Sequence, residues 1–354
     1  EGCKIAHNDT GDSYANWRYV NEVEFATLED NQPLIDEAVA VAEKSDLVIL
    51  ALGENILLGR EAWGENHIGD RTTFDLTESQ QALARAVLAT GKPVILFLNN
   101  GRPVALHDLG DDVPAILTAH YAGQETGTAA AGILFGKTNP SGKLTVSWPR
   151  SVGHIPSHYS QHGSARVFDY ADSSRSAAYP FGHGLSYTTF AYGKPELTGA
   201  SLKPGESVEV KFDVTNTGKR AGSEIAQLYV SGKEFSIARP ALELKGFARI
   251  FLKPGETKKV TIKLAADDLH FHDRSLNRVL PRGKYLIRVG GSSTKLSDPV
   301  SIRTQPGSQV KFSGAPSASG AASVSSARPA RSAFSRVPPA PANRAFARFS
   351  SASE

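Results

Sequence analysis

Methionine is missing from all 354 residues, position 1 included, and Cys3 is the only cysteine. A chain that opens without methionine is expected to be a processed piece or a fragment of a longer product. One thiol excludes an internal disulfide and any multi-thiolate metal cluster, and it gives no sign of redox compartment. Cys3 itself reads as a small buried residue ahead of a strand. No apolar run approaches the roughly 18 residues needed for a membrane-spanning helix, and no signal-peptide pattern opens the chain. The histidines at 120, 154, 158, 162 and 183 are interrupted by Gly and Pro and do not share one helical face, so neither a metal nor another cofactor is expected.

What remains is the material of a globular protein. With 40% hydrophobic and 21% charged residues there is enough apolar mass for a core, and the length suggests two domains. The net charge of +3 is unevenly spread, because six basic residues and one acid lie from Pro306 onward. That Ser/Ala/Pro/Arg-rich stretch has too few large apolar groups to offset the entropy of ordering it, and it reads as a disordered tail over 304–354. It lacks aromatic stacking platforms and helical spacing, so neither nucleic acid nor membrane is expected as a partner.

The first 150 residues carry the periods of an α/β domain. Apolar residues at Leu34, Ile35, Ala38, Val39, Val41 and Ala42 predict a helix over 31–44, followed by the unbroken apolar run 47–52, read as a buried strand. Thr77 opens a capping pattern for a helix that Gly91 ends, and 94–98 is the next strand. The alternation repeats with 113–118 and an Ala-rich helix over 125–135, while 2–6 is expected to add a strand. Strands joined by helices argue for a mostly parallel sheet between helical layers.

In such sheets the reactive edge lies beyond the carboxyl ends of the strands, which directs attention to the loop after Leu52. It runs from Gly53 to Arg71 and is long, charged and aromatic, unlike a plain connector. Three carboxylates compete there for a role: Glu54, Glu61 and Glu65. After about residue 197 the character changes. Short runs at 208–215, 224–230, 242–252, 258–264 and 283–289, rich in Val, Ile, Phe and Tyr and separated by turns such as Pro204-Gly205 and Pro254-Gly255, predict an all-β sandwich.

Two strings between these regions are the most specific part of the chain. One runs from Asn139-Pro140-Ser141-Gly142-Lys143-Leu144 to Trp148-Pro149-Arg150; the other is Tyr179-Pro180-Phe181-Gly182-His183-Gly184-Leu185-Ser186-Tyr187-Thr188. Turn residues at fixed offsets with aromatics between them predict a pinned chain. Together with Gly123-Gln124-Glu125-Thr126-Gly127, Asn216-Thr217-Gly218 and Glu243-Leu244-Lys245-Gly246-Phe247, they resemble the C-terminal part of glycoside hydrolase family 3, without the family's N-terminal barrel.

The resemblance implies an α/β domain at 1–150, a linking strap at 151–195, a fibronectin type III-like sandwich at 196–303 and the tail beyond. It implies a retaining exo-acting β-glycosidase, foremost a β-glucosidase acting on terminal non-reducing β-D-glucosyl residues of a β-linked oligosaccharide or glucoside. A β-xylosidase and a non-catalytic carbohydrate-binding module are the alternatives. Counted from Gly53, the family's acid/base falls on Glu61, with Glu65 as competitor because 63–70 lengthen the spacing to Arg71. Trp63 and Arg71 are the expected substrate contacts, although Trp63 serves equally well as an apolar wall against Glu61 or as an anchor for the loop. The family's nucleophile is a barrel Asp outside this chain, so the chain alone is expected to be inactive. Periplasmic or secreted localisation is the family expectation.

Overall fold

A computed structural model describes residues 2–5, 25–55, 58–59, 71–162, 168–233, 235, 238–273 and 276–305. Glu61, Trp63, Glu65 and the basic tail from 306 lie outside the described residues. The opening helix, α1 (Leu28–Glu43), starts three residues earlier than its apolar period suggests. The reason is local: Thr27 and Asp30 form a reciprocal capping box, which satisfies donors that a helix start otherwise leaves unpaired. Pro33 is accommodated inside the helix.

Strands β1 (Val48–Gly53), β2 (Val94–Asn99) and β3 (Ala115–Thr118) form a parallel sheet in chain order, with Val48 paired to Val94 and Ile95 to Ala115. Helix α2 (Glu78–Ala89) joins the first two strands, and the short α3 (Leu109–Asp112) joins the second to the third. Leu50, Leu52, Leu96 and Leu98 point to one face, where they pack with Ile35, Leu83 and Val87 of the helices. Each fully buried Leu of this kind contributes about 1.5–3 kcal/mol. Cover is unequal on the other face: Ile49 is 48% exposed, and α4 (Thr126–Leu134) has no buried residue. The strand expected at 2–6 does not form over 2–5, because the Lys4 backbone is taken by a side chain instead. Asn31 Oδ1 accepts from Lys4 N at 2.6 Å and Asn31 Nδ2 donates to Lys4 O at 3.1 Å.

The sandwich packs two antiparallel-rich sheets. One is ordered β10 (Thr257–Ala265), β7 (Ser207–Asn216), β4 (Phe190–Tyr192), with β5 (Glu196–Leu197) also on β7. The other is ordered β6 (Ser201–Leu202), β14 (Val300–Thr304), β13 (Gly283–Gly290), β8 (Gly222–Lys233), β9 (Glu243–Leu252). Val208, Val210, Phe212 and Val214 alternate inward from β7 and meet Leu228, Val230, Tyr285 and Ile287 from the opposing sheet, the period expected of strands with one buried face. The two Pro-Gly turns close with Glu206 N on Lys203 O and Glu256 N on Lys253 O, both at 3.0 Å. The sequence pattern missed β4, β5, β6 and β14 and the small β11 (Phe271–His272) and β12 (Arg278–Val279) pair, which are short or polar.

The two motif strings pair with each other. Leu144 N donates to His183 O, Gly182 N to Leu144 O and Trp148 N to Tyr179 O, each at 2.8 Å. Their approach explains Gly184: a Cβ there would lie 2.0 Å from Gly142 O. All described residues belong to one compact unit, and this paired connector ties its halves together. Gln227, 3% exposed, donates to Gly182 O and Gly291 O, while buried Glu224 takes Lys143 Nζ at 3.2 Å and the Tyr192 hydroxyl at 2.8 Å.

Buried phenols make the sandwich sensitive to alkali. Burial pushes Tyr285 up to about 12. It raises Tyr229 as well, and Tyr192 is raised by burial and by the Glu224 charge beside it. In an unfolded chain these groups ionise near 10, so above that pH the unfolded state releases protons the folded state keeps. Stability is therefore intact below pH 10 and is lost as pH rises toward 12, by up to about 1.4 kcal/mol per pH unit for each phenol. Urea midpoints from pH 8 to 11.5 are expected to fall only beyond 10, and less steeply in Tyr285→Phe. A flat profile would contradict this.

Candidate active site

The site grows from the end of β1. Gly53 has φ +142, and a Cβ there would meet Asn99 O at 2.0 Å, so only glycine lets the strand end run this close to β2. Glu54 N then donates to Asn99 O at 2.9 Å, and the Glu54 side chain turns inward with 2% exposure. Two guanidiniums meet it. Arg71 Nη2, Arg102 Nε and Arg102 Nη2 each lie 3.2 Å from Glu54 Oε1.

The same two arginines hold the backbone of the loop. Leu58 O accepts from Arg102 Nη2 at 3.1 Å and from Arg71 Nε at 3.4 Å, and Arg71 Nη2 also donates to Asp75 O at 2.9 Å. Leu58 is buried. Tyr121, beyond β3, donates its hydroxyl to Glu54 O at 3.4 Å; burial first, then the Glu54 charge, raises its phenol pKa. The loops that follow three successive strands thus converge at the carboxyl edge of the sheet, where the reactive edge of such folds lies. Among the described residues, one buried carboxylate thus sits between two guanidiniums at that edge.

Of the residues singled out from sequence, Glu54 and Arg71 are brought together, joined by Arg102, and Glu61, Trp63 and Glu65 lie outside the described residues. Glu54 has no open path to a glycosidic oxygen: its exposed fraction is small and its Oε1 is engaged by both arginines. Arg71, expected to touch substrate, has its described contacts inside the cluster and keeps 17% side-chain exposure. The pairing of Arg102 with Glu54 carried no signal in the sequence, since 48 residues separate them; only the parallel register of β1 and β2 makes them neighbours. Beside Arg102 opens an apolar groove of about 480 Å³ walled by Phe74, Pro103, Val146, Ile155 and Phe181.

A parallel α/β sheet carrying a charged carboxyl edge, joined through a Gly-rich connector to a β-sandwich, is the architecture of the rear part of a class of glycoside hydrolases. Residues 5–187 match the glycosyl hydrolase family 3 C-terminal domain and residues 224–293 match the fibronectin type III-like domain; the chain belongs to glycoside hydrolase family 3. It is 42% identical over 261 residues to a beta-xylosidase of Formosa agariphila, covering 73% of this chain and 35% of that protein. It is 39% identical to a periplasmic beta-glucosidase of Salmonella typhimurium, covering 75% and 35%. Among solved structures, a β-glucosidase from Erythrobacter marinus superposes with TM-score 0.79 at 37% identity, covering 86% of this chain and 40% of the other. A β-glucosidase from Listeria innocua in complex with glucose superposes with TM-score 0.69 at 34% identity, covering 79% and 39%. The chain thus spans about a third of the length of the curated relatives it matches.

Proposed function

We propose that this chain is the C-terminal part of a retaining exo-acting β-glycosidase, most simply a β-glucosidase that removes terminal non-reducing β-D-glucosyl residues, and that it supplies the general acid/base. The observation that supports this most directly is the Glu54–Arg71–Arg102 cluster, which holds Glu54, Leu58 and Arg71 of the loop in which the family's acid/base position falls. In this reading Glu61 is the acid/base and Glu65 the alternative. Such an enzyme needs a second carboxyl group about 5 Å from its nucleophile. Glu61 would protonate the leaving oxygen while a nucleophilic Asp, from a domain outside this chain, forms the glycosyl-enzyme. The loss of the nucleophile's charge in that intermediate lowers the pKa of Glu61, which then takes a proton from the attacking water. Trp63 supplies an apolar wall or a stacking face, and Arg71 presents its remaining exposed edge to the sugar.

The domain limits 1–150, 151–195 and 196–303, and a periplasmic or secreted location, belong to the same proposal. β-Xylosidase activity is the second reading, favoured by the Formosa agariphila relatives. Assays with p-nitrophenyl β-glucoside and β-xyloside test it. The chain alone is expected to turn over neither, and a longer protein that includes the nucleophile domain is expected to prefer the glucoside. Turnover by the chain alone would overturn the assignment of the nucleophile to another domain.

A further inference from the structure

Where the end of α4 meets the sandwich, an open depression of about 470 Å³ lies among Lys137, Arg220, Ser223 and Phe251. That volume falls within the roughly 300–1,000 Å³ of small-ligand clefts. Its charge is of one sign, because none of the lining residues carries a carboxylate. Arg220 is fixed from two sides. It donates to Gly136 O at 2.6 Å, and its guanidinium carbon lies 5.3 Å from the centre of the Tyr187 ring, itself anchored by its hydroxyl to Ile133 O at 2.8 Å. A guanidinium has five N–H donors, so one carbonyl bond leaves most of them for a ligand. Lys137 is exposed and forms no ion pair among the described residues.

The floor is fixed by the junction between the two halves. Asn139 Nδ2 donates to Ala221 O at 2.9 Å, and a Cβ at Gly222 would come within 2.5 Å of that nitrogen. Phe251 forms the apolar wall with 53% exposure. Arg249 and Phe247 follow at two-residue steps on the same outward face of β9, and Phe247 is 68% exposed. Two aromatic rings with one cation between them therefore span about 14 Å along the strand, at about 3.4 Å per residue.

An inorganic anion would use the cations and ignore the rings. A neutral sugar would use the rings and leave the charges unanswered. A sugar chain whose pyranose rings carry carboxylates uses both, with ring faces on Phe251 and Phe247 and charge-assisted bonds to Lys137, Arg220 and Arg249. We propose that this surface binds such an acidic oligosaccharide.

The test is calorimetric titration of this chain, at low salt, with xylotetraose and with the same tetrasaccharide bearing one glucuronate. The acidic form is expected to bind at least tenfold more tightly and to weaken as salt screens the charges. Lys137→Glu and Phe251→Ala are each expected to weaken it at least fivefold with the melting temperature unchanged, since both side chains are exposed, while Lys203→Glu elsewhere on the sandwich has no effect. Equal affinity for the two saccharides, binding of neither, or indifference to both substitutions overturns the proposal. So does inorganic phosphate binding as tightly as the acidic saccharide, in a manner that Phe251→Ala leaves unchanged.

Discussion

Glu61→Gln, made in a protein that carries this chain together with its nucleophile domain, is expected to lower kcat by about 10²–10⁴-fold on glucosides with basic leaving groups. Glutamine cannot protonate the leaving oxygen, so the loss should shrink as the leaving group becomes more acidic and needs less help to depart. The second step also loses its base. A small anion such as azide, which attacks the glycosyl-enzyme without surrendering a proton, should therefore restore turnover and yield a glycosyl azide. Glu65→Gln should stay within tenfold of the unaltered enzyme and show no such rescue. If the rescue and the leaving-group dependence follow Glu65 instead, the acid/base role passes to Glu65.

Arg102→Ala is expected to destabilise the chain by about 3 kcal/mol. Removing one partner of a buried ion pair typically costs about 3–5 kcal/mol, because the remaining charge stays buried and less compensated. The lower end applies because Arg102 is itself 30% exposed whereas Glu54 is 2% exposed, and because Arg71 still reaches Glu54 Oε1. The substitution also removes a donor from Leu58 O. Arg102→Lys retains the charge without the planar fork that spans both acceptors, so it should fall between the two. Arg102→Met combined with Glu54→Leu should recover part of the loss, since it no longer leaves a carboxylate stranded. Urea midpoints of the four proteins check this, and a loss below about 1 kcal/mol for Arg102→Ala would show that water or Arg71 alone satisfies Glu54.

Local signals in the sequence were strong where one element decides its own shape. Thr77 ahead of α2 accepts the Gln80 amide, Gly91 beyond that helix takes φ +71, and the alternation from Val208 to Val214 runs inward along β7. Signals were weak where a distant group intervenes. The apolar run 47–52 reads as fully buried, yet Leu47 and Ile49 are each 48% exposed, since composition records how apolar a strand is and not which layers cover it. The residues 2–5 read as a strand, yet Asn31, far along the chain, occupies the Lys4 backbone. The site divides in the same way. The loop and its carboxylates stand out by length and composition, but nothing along the chain distinguishes a carboxylate that will be buried under two arginines from one left free.

The sequence by itself determined the family, the succession of α/β sheet and β-sandwich, and the location of the charged loop after β1, because hydrophobic period, turn residues and the two motif strings are properties of neighbouring residues. Only the tertiary structure decided that Glu54 serves Arg71 and Arg102, that the two motif strings pair through Gly142 and Gly184, and that Lys137, Arg220 and Phe251 share one depression. Those outcomes depend on strand register and on the docking of the two halves, which place residues tens of positions apart within a few ångströms, where Coulomb attraction, hydrogen bonding and steric exclusion act.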